Sequence, residues 1–266
     1  MDLSGLERGL SVSPTEGAPG RFGASFPEGY RQGRGVYGGM VLGALARAAI
    51  ASEPDPERRV RAFLGAIVAP VPDGDVDVTA SVVRRGSAVT TVDVGMSRGE
   101  GALARATVVL GRARGHDGRF ALEPPAIPDV TSLASLTLGP PFAPEFLQHF
   151  ELWSTGPSPF SGSEPRTEGF VRSRAPLASL GAAEIIALVD CFWPALFSRE
   201  AGPRPMATVT FDAQVFYPEG PVDPGAPLYF RARVLAAADG YFAEARELWT
   251  PGGELVALNQ QTFAVI

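Results

Sequence analysis

Among the residues able to do chemistry, Asp190 is the most out of place. It follows Ile185, Ile186, Leu188 and Val189 and precedes Phe192 in an apolar run. A carboxylate there is costly unless it is bonded or at work, and buried acids of this kind tend to belong to functional sites. A carboxylate at a helix end can instead face solvent or bond the backbone of the next loop. Asn259-Gln260-Gln261 interrupts an otherwise apolar final strand pattern, which an exposed edge strand would equally explain. Thr208, Thr210, Asp212 and Gln214 share one parity, which on pattern alone is the wet face of a strand. Gly38-Gly39 opens a helical pattern. Glycines there either let a ligand approach free N–H groups, whose dipole favours developing negative charge, or let the helix pack closely.

Other reactive residues carry less. Neither histidine, His116 or His149, has a Cys, Asp or second His at metal-ligand spacing, so both are expected to be structural or exposed and no metal site is expected. Cys191 adjoins Asp190 without a base nearby in sequence and is expected to be an inert, half-buried thiol. The absence of a Gly-x-Ser-x-Gly elbow removes the usual serine-hydrolase chemistry. Gly33-Arg34-Gly35-Val36-Tyr37-Gly38 matches the dinucleotide-binding glycine pattern. The segment before it is no buried strand and meander patterns follow, so no nucleotide or other cofactor is expected.

Charge narrows the class further. The 23 basic residues are all Arg, set against 29 acidic ones, for a net charge of −6. That balance argues against a nucleic-acid partner. A lone cysteine excludes internal disulfides and fits a reducing compartment, so a cytoplasmic location is expected. The opening MDLSGLERGLSVSP lacks the basic-then-apolar pattern of a signal peptide. No apolar run reaches the roughly 18 residues that a membrane span needs.

The elements that must hold these residues recur in the same order twice. The stretch 36–52 is rich in Ala, Leu, Gly and Met on more than one stripe, as in a helix wrapped by a sheet. Strand patterns follow over 61–69, 76–82, 88–96 and 102–110, separated by Gly- and Pro-containing turns. A second apolar helix pattern, 179–198, is expected to end or kink before Pro194, giving a helix over about 179–193. Strand patterns over 206–217, 228–235, 241–249 and 255–265 come next. Pro70 matches Pro218, Gly86 matches Gly240 and Gly101 matches Gly253, so the chain is read as a duplicated α+β domain. In that alignment Thr208 corresponds to Val60 and Gln261 to Val109, so the first half is aliphatic where the second is polar. The units are expected over 1–115 and 146–266, with opening strands near 21–30 and 146–153 and a Pro-rich linker over 116–145.

The helix start Val36-Tyr37-Gly38-Gly39-Met40-Val41-Leu42-Gly43 resembles that of the acyl-CoA thioesterase II (TesB-like) family. So do the segment 63–70, Gly74, Arg85-Gly86 and Gly101-Ala102-Leu103-Ala104-Arg105-Ala106. In the second half, Leu188-Val189-Asp190, Ala207-Thr208, Pro218, Asp239-Gly240-Tyr241, Glu247-Leu248-Trp249 and Leu255-Val256-Ala257 through Gln261 match the same family. Order and spacing across nearly the whole chain carry the resemblance. It implies a fused double hotdog that hydrolyses acyl-CoA, with Asp190, Thr208 and Gln261 at the catalytic positions. Asp190 would activate a water that Thr208 and Gln261 help to hold. The substrate would be an acyl-CoA, with Gly38 and Gly39 near the thioester and Arg58, Arg59, Arg84 and Arg85 meeting its phosphates. Homo-oligomers through hotdog faces or sheet edges are expected as well. Two other readings suit the same fold: a non-catalytic acyl-binding protein, and a hotdog hydratase or dehydratase. The last ranks third because both histidines lie in or beside the linker.

Overall fold

In the computed structural model, which describes residues 4–115 and 120–266, helix α1 (Gly5–Leu10) precedes strands β1 (Ser13–Pro14) and β2 (Arg21–Phe26) and the small hairpin β3 (Arg31–Gln32) and β4 (Gly35–Val36). Helix α2 (Gly38–Ala51) follows, then the meander β5 (Arg59–Ile67), β6 (Gly74–Arg85), β7 (Val89–Arg98) and β8 (Gly101–Gly111). The second half opens with β9 (Phe150–Ser154) and β10 (Arg166–Ser173) and continues through helix α3 (Ala182–Val189). It closes with β11 (Met206–Val215), β12 (Leu228–Ala238), β13 (Tyr241–Trp249) and β14 (Leu255–Val265). His116 lies outside the described residues.

The described strands pair antiparallel, and twelve of them form one sheet in the order β1-β2-β6-β7-β8-β5-β11-β14-β13-β12-β10-β9. The two halves fuse edge to edge at β5 and β11. There Phe63 pairs with Ala213, Leu64 with Asp212 and Gly65 with Phe211, so the halves are related by a local twofold at the Leu64–Asp212 pair. Both helices lie buried on the concave side. They pack antiparallel at very close range, and glycine is what permits it. A Cβ on Gly39 would come within 2.8 Å of the Ala187 carbonyl oxygen, and one on Gly43 within 2.8 Å of the Ala183 carbonyl oxygen.

Several elements differ from the sequence expectation. Val36 belongs to β4, where its N–H bonds the Val71 carbonyl, and not to the helix. The second helix is much shorter than 179–193 and stops at Val189. The amides of Asp190 and Cys191 turn back three residues to Ala187 and Leu188, and Pro194 disfavours helix at the residue before it. A 3-10 turn over Ala195–Ser198 follows instead. Residues Glu145–His149 also form a 3-10 turn, so the strand starts only at Phe150. Helix α1 and strand β10 had no counterpart in the sequence patterns. Within the Pro-rich segment, Ile127, Val130 and Leu133 pack on Trp153, Phe170, Tyr229 and Trp249, on the face of the sheet's second half turned away from α3.

Candidate active site

Helix α3 delivers Asp190 as its C-cap, in αR geometry, to the opening turn of α2. Its side chain keeps only 6% exposure. Gln261, from the last strand, donates through Nε2 to Asp190 Oδ1 at 2.9 Å and to Asn259 Oδ1 at 3.0 Å. Thr208 Oγ1 donates to Gln261 Oε1 at 3.3 Å. The three residues that the sequence singled out therefore form one hydrogen-bonded chain, from hydroxyl to amide to carboxylate. Asp190 is also paired: Arg246 Nη1 lies 3.3 Å from Oδ1.

Strand parity alone would turn Thr208 away from this cluster. A β-bulge reverses it. Thr208 pairs with Phe263 and Thr210 with Thr262, so Val209 is the extra residue. Thr208 thus shares the inward face with Phe263 and Gln261, while Thr210 faces out. Bulges re-aim side chains in this way, and the first half carries one at the equivalent place, between Val60 and Ala62. The ladders also correct the repeat alignment by one residue. Phe211 pairs with Gln261 as Phe63 pairs with Val108, so the counterpart of Gln261 is Val108 and not Val109.

Burial raises the pKa of Asp190, opposed by the Arg246 charge, the Gln261 amide and the Gly39 N–H. With Oδ1 taken by Gln261 and Arg246, Oδ2 faces the start of α2, 3.0 Å from where a Gly38 Cβ would sit. Helix α2 has no side-chain N-cap of its own. Its first N–H groups and their dipole therefore point at this carboxylate side, a place suited to negative charge. Tyr37, just before the helix, stacks on Phe146 and donates its hydroxyl to the Ala187 carbonyl. Burial pushes both its phenol and the Cys191 thiol well up, so both stay neutral at neutral pH.

Gly39 serves close helix packing, whereas Gly38 faces the carboxylate. Arg58 and Arg85 sit beyond the other end of α2, about 20 Å away along 14 residues of helix. Arg58 is held by Asp55, Thr90 and the Gly86 carbonyl, and Arg85 by Glu53 and the Ser52 carbonyl. Arg84 is exposed, and Arg59 lies over the Tyr217 ring at 4.9 Å. None of the four is brought to the Asp190 cluster. Cys191 is fully buried, deeper than expected. His149 is structural: it stacks on Tyr30 and its Nε2 lies 3.0 Å from the Gly29 carbonyl. Among the described residues no group of His, Cys, Asp and Glu is arranged to hold a metal. The glycine pattern at 33–38 spans the β3–β4 hairpin and the start of α2, and among the described residues no strand pairs parallel.

Sequence reasoning passed over Arg246 and Glu244, which are buried beside Asp190 and Gln261. A signal was available. Glu244 and Arg246 share the inward parity of β13 with Phe242 and Leu248, where two opposite charges are out of place.

The first half carries no such centre. The contacts of Gly39 with Ala187 and of Gly43 with Ala183 are mates under the local twofold, which makes Ala46 the counterpart of Asp190. The counterparts of Asp190, Thr208 and Gln261 are then Ala46, Val60 and Val108, each no more than 1% exposed.

Fold and site together define a duplicated helix-in-sheet protein whose Asp190 centre is set at the end of one helix and the start of the other. Residues 26–111 match the acyl-CoA thioesterase N-terminal domain family and residues 122–265 the acyl-CoA thioesterase C-terminal domain family. The chain belongs to the acyl-CoA thioesterases. Its fold is that of a tandem hotdog, as in a conserved protein of unknown function from Alicyclobacillus acidocaldarius (TM-score 0.88, 22% identity, covering 100% of this chain and 99% of that one). Similar too are a tesB protein from Mycobacterium avium subsp. paratuberculosis (TM-score 0.81, 14% identity, 98% of each chain) and the acyl-CoA thioesterase II TesB2 from Mycobacterium marinum (TM-score 0.79, 15% identity, 98% of each chain). No curated protein sequence matches the chain.

Proposed function

We propose that the chain hydrolyses acyl-CoA by direct attack of a water that Asp190 orients and deprotonates. The observation that carries this reading is the Thr208–Gln261–Asp190 hydrogen-bonded chain, set against aliphatic residues at all three counterparts in the first half. A thioester carbonyl is electrophilic enough to need no covalent nucleophile. The water gives one hydrogen bond to Asp190 and one to Thr208 Oγ1, whose own proton is directed to Gln261. Attack forms the C–O bond as a proton passes to Asp190, a general-base role worth roughly 10²–10⁴-fold. The Gly38 N–H, beside the Gly39 N–H that bonds Asp190, meets the developing oxyanion, where one such donor is typically worth about 10²–10³-fold. Collapse breaks the C–S bond, and the proton held by Asp190 passes to the departing thiolate, leaving acid and CoA.

For the substrate phosphates, Arg59 and Arg84 are the arginines to test first, because neither has a carboxylate partner among the described residues. We further propose a cytoplasmic homo-oligomer. Supporting contacts would be exposed apolar residues such as Leu64, Val68 and Val83, at 48%, 56% and 60% exposure. Light scattering at micromolar concentration is expected to give a multiple of 27.9 kDa, and a monomer mass would overturn the assembly.

The test of function is release of free thiol from a panel of acyl-CoAs, with acid formed in equal amount. Binding without thiol release would make this an acyl-CoA-binding protein. Hydration of a 2-enoyl-CoA without thiol release would make it a hydratase.

A further inference from the structure

We propose that the buried Arg246–Glu244 pair belongs to the hydrolytic machinery as a positioning device for Asp190, and not to the scaffold. The proposal rests on reading Asp190 as the base. Arg246 is 1% exposed and its guanidinium lies between the rings of Phe230 and Phe263, 5.7 and 5.4 Å from their centroids. Nη1 donates to the Val189 carbonyl at 3.2 Å and to Asp190 Oδ1 at 3.3 Å. Nε donates to Glu244 Oε1 at 2.8 Å, and Glu244 Oε2 accepts the Ala195 N–H at 2.7 Å. The pair thus grips the chain on both sides of Asp190, at residue 189 through Arg246 and at residue 195 through Glu244.

The fold has no need of a pair at these positions, because its own duplicate does without one there; the first half's buried Arg58–Glu53 pair lies beyond the far end of α2. Val92 pairs with Val108 and Val94 with Ala106, as Glu244 pairs with Gln261 and Arg246 with Asn259. The counterparts of Glu244, Arg246 and Asn259 are therefore Val92, Val94 and Ala106, all buried. Replacing a buried ion pair by apolar residues of similar size is often neutral or stabilising. A pair present in the half with the carboxylate, and replaced by valines in the half without it, is explained by the carboxylate.

The groups facing Asp190 are Tyr37 and the Gly39 N–H from the start of α2, Cys191 beside it, Arg246 and Glu244 from β13, and the neutral Gln261 from β14. Among them Arg246 is the fixed cation and Glu244 the second carboxylate. Arg246 favours the ionised base and Glu244 opposes it.

The experiment is the pH profile of kcat/KM for acyl-CoA hydrolysis by the full chain, alongside thermal unfolding. Arg246→Met is expected to lower kcat at least about 100-fold, as a lost general base would, and to move the acid limb up by about 1–3 pH units, the range for losing a close opposite charge. Glu244→Gln is expected to move that limb down. The double variant E244V/R246V, copying the first half, is expected to fold and to be inactive with KM little changed. A scaffold role would lower stability and leave the limb in place. Arg246→Met with parental kcat and an unmoved limb, while Asp190→Asn is inactive, would overturn this inference alone. An active Asp190→Asn would overturn the base reading beneath it. Should Arg246→Met fail to fold, Glu244→Gln decides, and an unmoved or raised limb refutes the proposal.

Discussion

Replacing Gln261 by Glu keeps the shape of the side chain and swaps one donor for a charge. In the parent, Gln261 Nε2 lies 2.9 Å from Asp190 Oδ1. Two negative charges at that separation repel by about 6 kcal/mol at an effective dielectric constant near 20. That equals roughly four pKa units, shared between the two groups and offset in part by Arg246. Both carboxylates cannot ionise together over the neutral range, so the pair holds one proton where the parent has a free base. The expected result is an acid limb of kcat/KM at least about one unit higher, with activity on that limb about tenfold lower for each unit of the move. The assay is thiol release from one acyl-CoA between mildly acidic and alkaline pH, with unfolding followed in the same buffers. A profile superimposed on the parent's would refute the geometry, because it would mean that residue 261 and Asp190 do not share a proton environment.

Two further outcomes follow from the same geometry. Thr208→Val removes one hydrogen bond, worth about 1 kcal/mol, at a place where the first half holds Val60. Calorimetry is expected to show a midpoint within about 4 °C of the parent, while kcat falls at least about tenfold, equivalent to ~1.4 kcal/mol. The second concerns stability and pH. Burial raises the folded-state pKa of both Asp190 and Glu244. Between unfolded and folded values the native state then binds more protons, so each group's contribution is full below the unfolded pKa and is lost as pH rises through the folded one. The lowered pKa values of Glu7, Glu53, Asp55 and Asp129 act in the opposite sense but are common to parent and variant. Asp190→Asn is therefore expected to gain most on the parent at neutral pH, with the gap narrowing in acid, as read from urea midpoints. A gap that widens in acid would contradict the direction of the Asp190 shift.

The repeat was legible because turn residues punctuate it: Pro70 with Pro218 and Gly101 with Gly253 mark equivalent strand ends. The last two strands were legible to the residue, since Gly240 precedes Tyr241–Trp249 and Pro251-Gly252-Gly253 separates it from Leu255–Val265. Asp190 was legible as a charge in an apolar run. Thr208 was not, because a bulge overrides parity and leaves no trace in residue type. The length of α3 was also hidden. Its apolar run continues through Phe192, but the chain turns off at Asp190, held by Arg246 and Glu244 from a strand more than 50 residues later. That clasp is tertiary and non-local, so helical periodicity cannot report it. Its two charges were nonetheless visible at inward positions of β13, and an inward Glu-x-Arg in a strand was the signal to follow.

The central claim is that Asp190 is the base and that the scaffold does not depend on its charge. Turnover of Asp190→Asn, measured by thiol release beside an active parent of matched folding, tests it most directly. The account predicts thermal stability at least equal to the parent's and a loss of at least about 100-fold in kcat, the lower range for removing a general base. Parental turnover in that variant would place the chemistry elsewhere in the chain.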